Sequence, residues 1–368
     1  MNDFDIEFKT IQGEYYSQPI DDLLSRISDK KGSAVIFGSG AVGCSVAGSL
    51  ISLGGQIIAF CDNYKKGMNE RFQLPIISPK ELLRSYKEAI VIVAVDYKQN
   101  DEIFNQLLGM GFLRENIYRR YFELYDIDQM NQHYEGYKWA YNFFDDDVSK
   151  KLLVDRIRMY LTGVEITKTS TAPQYFEPKI ISLEENEVFV DGGAWIGDTA
   201  DEFIRHTKLG KARGYRYIYS FEPDNVAREK ATHLLGNYTN VDVIGKGLWS
   251  CDTELKFFSD GGNAGSSFVI GNCSISIPVT SLDSFFAGKP NHDLPTFIKL
   301  DIEGAEKEAL IGARNIIRKK HPKLAVCVYH KPEDIYELPK LIYEMDPSYK
   351  FTLEQYADGI YETVLYAV

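Results

Sequence analysis

A chain of 368 residues, 44% hydrophobic and 26% charged, is long enough for two or three domains with real cores. Its 53 acidic residues against 41 basic ones leave a formal charge of −12 with no basic arm, which argues against nucleic acid or an anionic membrane as partner. The five cysteines (Cys44, Cys61, Cys251, Cys273, Cys327) form no CxxC and cannot all pair, so a reducing compartment is expected. The N-terminus is acidic and lacks a signal-peptide core, and no apolar run approaches the ~18 residues of a membrane span. The expectation is a cytoplasmic protein.

Residues 1–125 read as a first α/β domain. A short apolar run at 34–37 leads into the glycine-rich turn GSGAVG and a helical stretch to residue 53, then a second strand at 56–60. The continuous apolar run AIVIVAV at 89–95 is of the kind found in strands covered on both faces. Alternating strands and helices imply a parallel sheet. Gly38, Gly40 and Gly43 fit GxGxxG, and Asp62 ends the next strand about 20 residues on, where a ribose acceptor is expected. With FCDN and LPIISPKEL, the segment resembles the small Rossmann-like domains that precede sugar-modifying enzymes. That resemblance implies a nucleotide or nucleotide-sugar site, or else an assembly role. The pattern fades near residue 120, too early for a complete dehydrogenase.

Residues 126–178 read as a helical linker. Trp139, Phe143, Leu152, Leu153, Ile157 and Leu161 recur at helical spacing over 129–162, while Asp145, Asp146, Asp147 and Ser149 leave open whether this is one helix or two. The Ser/Thr/Pro-rich run TKTSTAPQ at 167–174 marks a boundary.

A second α/β series fills 179–368, with strands expected at 188–191, 217–221, 241–244, 296–300 and 324–329. The last eighteen residues form two β-prone runs around Asp358-Gly359, an expected antiparallel hairpin. In open α/β sheets ligands bind beyond the carboxyl ends of the strands. Those ends carry Asp191 before DGGAWIGDT, Glu222 in FEPD, Asp301 in KLDIEGAE, and His330. Gly192, Gly193 and Gly197 allow a sharp turn and a close approach, and the helix starting near Asp198 and Thr199 offers backbone N–H groups to a carboxylate. Asp191 beside that loop would repel a pyrophosphate but suits an ammonium, and Glu222 suits the two hydroxyls of a ribose.

In order along the chain, VFVDGGAWIGDT, YSFEPD, GLWS, SLDSF, IKLDIEGAEKEAL and YHKPEDIYELP resemble the FkbM family of S-adenosylmethionine-dependent methyltransferases, over roughly residues 145–368. The fold this implies is a class I methyltransferase: a Rossmann-like, seven-stranded sheet with a terminal antiparallel hairpin, preceded by the smaller Rossmann-like α/β domain. The activity it implies is O-methyl transfer to a hydroxyl of a saccharide or nucleotide-linked sugar. By position, Asp191, Gly192, Gly193, Gly197, Asp198, Thr199, Glu222 and Asp224 would meet S-adenosylmethionine, with Trp249 of GLWS beside the adenine.

A group must take the acceptor's proton, and Asp301, Glu303 and His330 are the candidates, the histidine because an unperturbed pKa of about 6.5 suits proton transfer near neutrality. Glu303 otherwise caps the following helix. The run GGNAGSSF at 261–268 reads as a loop able to close over an acceptor, with Ser266 and Ser267 as donors. No metal is expected, since the histidines show neither HxH nor HExxH spacing; Asp301 and Glu303 with a substrate diol come nearest to a cation site. The N-terminal domain would recognise a nucleotide portion or form a homodimer contact. The rival readings are an NAD-dependent sugar oxidoreductase using the N-terminal GxGxxG, which lacks a YxxxK proton relay, and a non-catalytic protein that keeps the cofactor pocket.

Overall fold

Residues 3–16, 19–28, 32–95, 97–119, 125, 127–162, 164, 166–209, 214–257 and 275–368 are described by the structure, a computed structural model. The chain divides into two units. One comprises Met1–Tyr134, Val154–Thr167 and Asp358–Ile360; the other comprises Glu135–Leu153, Lys168–Ala357 and Tyr361–Val368. Among the described residues no helix is long and apolar enough to cross a membrane.

In the first unit, helices α1 (Asp3–Tyr16) and α2 (Pro19–Ile27) precede β1 (Ala34–Phe37), α3 (Ala41–Ser52), β2 (Ile57–Cys61), β3 (Gly67–Asn69), β4 (Leu74–Ile77), α4 (Pro79–Ser85), β5 (Ile90–Val93), α5 (Tyr97–Gly109) and β6 (Ile117–Arg119). The described strands form one sheet in the order β3-β4-β2-β1-β5-β6, parallel except for the β3–β4 pair. Alternation along each strand sorts the apolar residues onto two faces. Val35, Phe37, Val91 and Val93 pack with Leu82 of α4 and Leu107 of α5. Ala34, Ile36, Ile90 and Ile92 pack with Ile27 of α2 and Leu50 of α3. A sheet covered on both faces explains why AIVIVAV carries no polar residue.

Helices α6 (Ile127–Gln132), α7 (Tyr134–Phe143) and α8 (Asp147–Thr162) follow. The question of one helix or two resolves at Asp146: its carboxylate accepts from the Ser149 backbone N–H at 2.8 Å and from the Ser149 hydroxyl at 2.6 Å, capping α8 as a separate helix.

The second unit continues with β7 (Glu187–Gly192), α9 (Asp198–Leu209), β8 (Tyr215–Phe221), α10 (Asn225–Leu235), β9 (Val241–Ile244), β10 (Gly247–Leu248), β11 (Thr253–Phe257), β12 (Ile275–Thr280), α11 (Leu282–Phe285), β13 (Phe297–Leu300), α12 (Glu306–Ile311), α13 (Arg314–Lys320), β14 (Lys323–Cys327), α14 (Asp334–Met345), β15 (Phe351–Gln355) and β16 (Thr363–Ala367). The main sheet runs β15-β16-β14-β13-β7-β8-β9. The neighbours from β14 to β9 are parallel, and β16 enters antiparallel between β14 and β15. One face is aromatic: Phe189 of β7 stacks on Phe203 of α9 with ring centroids 4.4 Å apart and lies 5.0 Å from Phe297 of β13.

The expected strands and terminal hairpin are present. A small sheet, β10-β12-β11, was not anticipated. Pro278 within β12 makes that run read as a poor strand, and it is tolerated here in a short three-stranded sheet.

Candidate active site

The parallel pairing of β13 with β7 sets Lys299 beside Asp191 and Leu300 beside Gly192. Lys299 Nζ donates to Asp191 Oδ1 at 3.0 Å and to the Gly193 carbonyl at 2.7 Å. Both side chains are buried, at 2% and 0% exposure. Burial pushes the Asp191 carboxyl up, and Lys299 opposes it. Burial would lower the Lys299 ammonium, but Asp191 and then Asp301 hold it charged and well above its ordinary value. Asp191 Oδ2 is buried with no hydrogen-bond partner among the described residues.

The glycine loop that follows is shaped by close approach. Gly193 has φ +76°, and a Cβ there would lie 1.8 Å from the Asp301 carbonyl oxygen, so the loop is pressed against the end of β13. Gly197, at φ +86°, lets α9 sit against Ala231 and Leu235 of α10. Asp198 opens α9 on the surface, with Thr199 half-buried behind it.

On the other side of β7, Glu222 ends β8. Its Oε2 accepts from Trp195 N of the glycine loop and its Oε1 from Asp224 N, each at 2.8 Å. Burial outweighs these bonds and pushes its carboxyl up to about 7. Each oxygen keeps a second lone pair for a ligand. Asp224 caps α10, accepting from Val226 N and Ala227 N at 2.9 Å. Trp249 packs against Ile277 and Val279 of the small sheet, and its backbone N–H donates to the Thr280 carbonyl.

Asp301 leaves β13 with both oxygens engaged: Oδ2 accepts from Tyr175 Oη at 2.9 Å and Oδ1 from Tyr329 Oη at 3.0 Å. Burial would raise its carboxyl, but Lys299, His330 and the two hydroxyls hold it below the usual range. His330 Nε2 lies 3.5 Å from Asp301 and 3.7 Å from Glu303, and its Nδ1 lies 3.1 Å from Glu306. Burial would lower the imidazole, but Glu306, Asp301 and Glu303 carry it up to about 10. A ring so held keeps its proton near neutrality and has no free lone pair to accept another, which moves the role of base from His330 to a carboxyl group. Glu303 sits at φ +54° on the exposed rim, with a backbone conformation unusual for a non-glycine residue.

Asp191, Glu222, Asp301, Glu303 and His330 therefore cluster at the carboxyl ends of β7, β8, β13 and β14. Ser266 and Ser267 lie outside the described residues. Lys299, Tyr175 and Glu306 were not singled out from the sequence. The signal for Lys299 was present as a lysine inside the apolar run TFIKLD; Tyr175 and Glu306 carried none that set them apart.

In the first unit, Asp62 Oδ2 accepts from Ser39 N and Ser39 Oγ, and its Oδ1 from Tyr64 N and Lys65 N. The carboxylate thus binds its own loops. A Cβ at Gly38 would strike the Ala94 carbonyl at 2.4 Å and one at Gly43 the Gly38 carbonyl at 1.9 Å, whereas at Gly40 it meets nothing within 4 Å.

A sheet of this order, with an antiparallel strand inserted near one edge and acids at the strand tips, has the class I methyltransferase fold. Residues 191–353 match the family model described as the methyltransferase FkbM domain. Among solved structures, the methyltransferase FkbM from Methylobacillus flagellatus KT is similar over 100% of both chains, at 22% identity and a TM-score of 0.70. An rRNA methylase from Streptococcus thermophilus matches 50% of this chain and 87% of its own, at 14% identity and a TM-score of 0.32. Aeropyrum pernix fibrillarin, solved with natively bound S-adenosyl-L-methionine, matches 51% of this chain and 70% of its own, at 12% identity and a TM-score of 0.32. These last two overlaps are too loose to argue from. No curated protein matches the chain in sequence.

Proposed function

We propose that the protein is an S-adenosylmethionine-dependent O-methyltransferase acting on a hydroxyl of a saccharide or nucleotide-linked sugar. The observation that carries this reading is the placing of carboxylates on both sides of the glycine loop. Glu222, tied to the loop through Trp195 N, stands on one side, and the Asp301–Glu303–His330 group stands on the other. The residues fit the cofactor: the unpartnered Asp191 Oδ2 suits its ammonium, Glu222 its ribose diol, and the start of α9 at Asp198 and Thr199 its carboxylate. Asp224 supports Glu222 through its backbone N–H. When bound, S-adenosylmethionine supplies a methyl group on a positively charged sulfur, which passes to the acceptor oxygen as that oxygen loses its proton.

Positioning is the larger part of the chain's contribution. Asp301, held by Tyr175 and Tyr329, orients the acceptor hydroxyl, and Glu303 on the exposed rim takes its proton. The acceptor side includes Ser266 and Ser267 in this proposal. In the first unit, taken by itself, a nucleotide would approach Gly40, the motif glycine whose Cβ direction is open; a homodimer contact is the other use of that unit.

Calorimetry with S-adenosylhomocysteine and with NAD on wild type and Glu222→Ala tests the reading. Micromolar binding of S-adenosylhomocysteine, lost in the variant, supports it and leads on to methyl-transfer assays with sugar acceptors. Binding of NAD alone, indifferent to Glu222→Ala, overturns it.

A further inference from the structure

At the carboxyl ends of β13 and β14, Asp301, Glu306 and His330 each offer one donor atom, and the three atoms lie within 4.8 Å of one another. Glu306 is fully buried and the His330 side chain is 9% exposed. A second observation is independent of this clustering. Glu306 Oε2 is buried without a hydrogen-bond partner among the described residues, whereas the two buried ring nitrogens of His330 have only ion-pair contacts, at 3.1–3.7 Å, with Glu306, Asp301 and Glu303. A buried polar atom left unmatched is destabilising, so the bare Glu306 oxygen beside the His330 ring calls for a ligand to satisfy it.

The remaining donor capacity of the carboxyl groups is already directed. Glu306 Oε1 accepts from Ile302 N at 2.8 Å, and the Asp301 oxygens accept from Tyr175 and Tyr329. Outer hydrogen bonds of this sort hold ligating carboxylates in place at metal centres. Carboxylates suit Mg²⁺ and Mn²⁺, and the imidazole nitrogen shifts the preference away from Mg²⁺.

We propose that Asp301, Glu306 and His330 hold a divalent cation, Mn²⁺ by this donor set. The ion takes the place that the imidazole proton otherwise holds. Beside the glycine loop, it would bind the acceptor oxygen and make its hydroxyl a stronger acid, the proton leaving to Glu303. That role rests on the methyl-transfer reading; the binding itself does not.

The test is a titration of MnCl₂ into the metal-stripped full chain, with free Mn²⁺ read by electron paramagnetic resonance. A parallel titration uses S-adenosylhomocysteine. One ion per chain at micromolar affinity is expected, weakened more than tenfold by Glu306→Gln and by His330→Gln, with folding checked by circular dichroism. If either variant does not fold, Asp301→Asn takes its place. Absence of Mn²⁺ uptake by folded wild type, or uptake unchanged in the variants, overturns the cation site and leaves an imidazolium–carboxylate network. S-adenosylhomocysteine binding without Mn²⁺ uptake sinks the cation site alone. Mn²⁺ uptake that the variants abolish, without S-adenosylhomocysteine binding, supports the cation site and sinks the methyl-transfer reading.

Discussion

Lys299 and Asp191 stand side by side on adjacent strands, 3.0 Å apart from Nζ to Oδ1, and neither is more than 2% exposed. The same ammonium reaches the Gly193 carbonyl, so one buried cation ties the glycine loop to both central strands. Removing it leaves the Asp191 charge in a site with little water. Lys299→Met is expected to cost about 3–5 kcal/mol in stability, measured by urea unfolding. A loss under about 1 kcal/mol would show that the pair does not hold the loop.

Glu222 makes cofactor binding depend on pH. Burial raises its carboxyl from 4.5 to about 7, so the folded chain holds this proton more tightly than the unfolded chain. The stability it contributes is complete below the unfolded value and is lost as pH rises through 7. Ribose hydroxyls donate to the ionised form. S-adenosylhomocysteine affinity should therefore rise about tenfold between about pH 6 and pH 8, and Glu222→Gln should flatten the profile. A flat wild-type profile by calorimetry tells against Glu222 as the ribose acceptor.

The two glycine loops should respond differently to alanine. At Gly193 the left-handed φ and the 1.8 Å approach to Asp301 leave no room, so Gly193→Ala should cost at least about 2 kcal/mol. Gly40 has φ −81° and open space, and Gly40→Ala should cost under about 1 kcal/mol. Thermal melts compare them directly.

Asp224 separates capping from cofactor contact. Asp224→Ala removes the α10 cap and should cost about 1–2 kcal/mol, while S-adenosylhomocysteine affinity changes by less than about threefold. A tenfold loss of affinity would assign the side chain to the cofactor instead.

Glu303→Gln keeps the shape of the rim and removes the proton acceptor. Turnover on a working acceptor should fall by about 10² or more, with S-adenosylhomocysteine affinity unchanged. Unchanged turnover would return the base to Asp301.

Much of the scaffold is legible before any coordinates. Strands at 34–37 and 241–244 match Ala34–Phe37 and Val241–Ile244, and the runs around Asp358-Gly359 become β15 and β16. Apolar runs and glycine turns act over a few residues, so they can be read in place. Strand ends are local as well, which is why Asp191, Glu222, Asp301 and His330 were identified as rim residues from motif position.

What each of those residues touches is a different matter. Lys299 lies 108 positions from Asp191, and Tyr175 lies 126 from Asp301. Such pairs exist only once β13 has taken its register beside β7. The sequence points to His330 as a group near neutrality; the fold surrounds it with Asp301, Glu303 and Glu306 and makes it a cation. The place of β16 between β14 and β15 is likewise a relation among strands distant in sequence. Short-range patterning determines which segments become strands and where their polar ends fall. Long-range register determines which charges meet, and through them the acid–base character of the site.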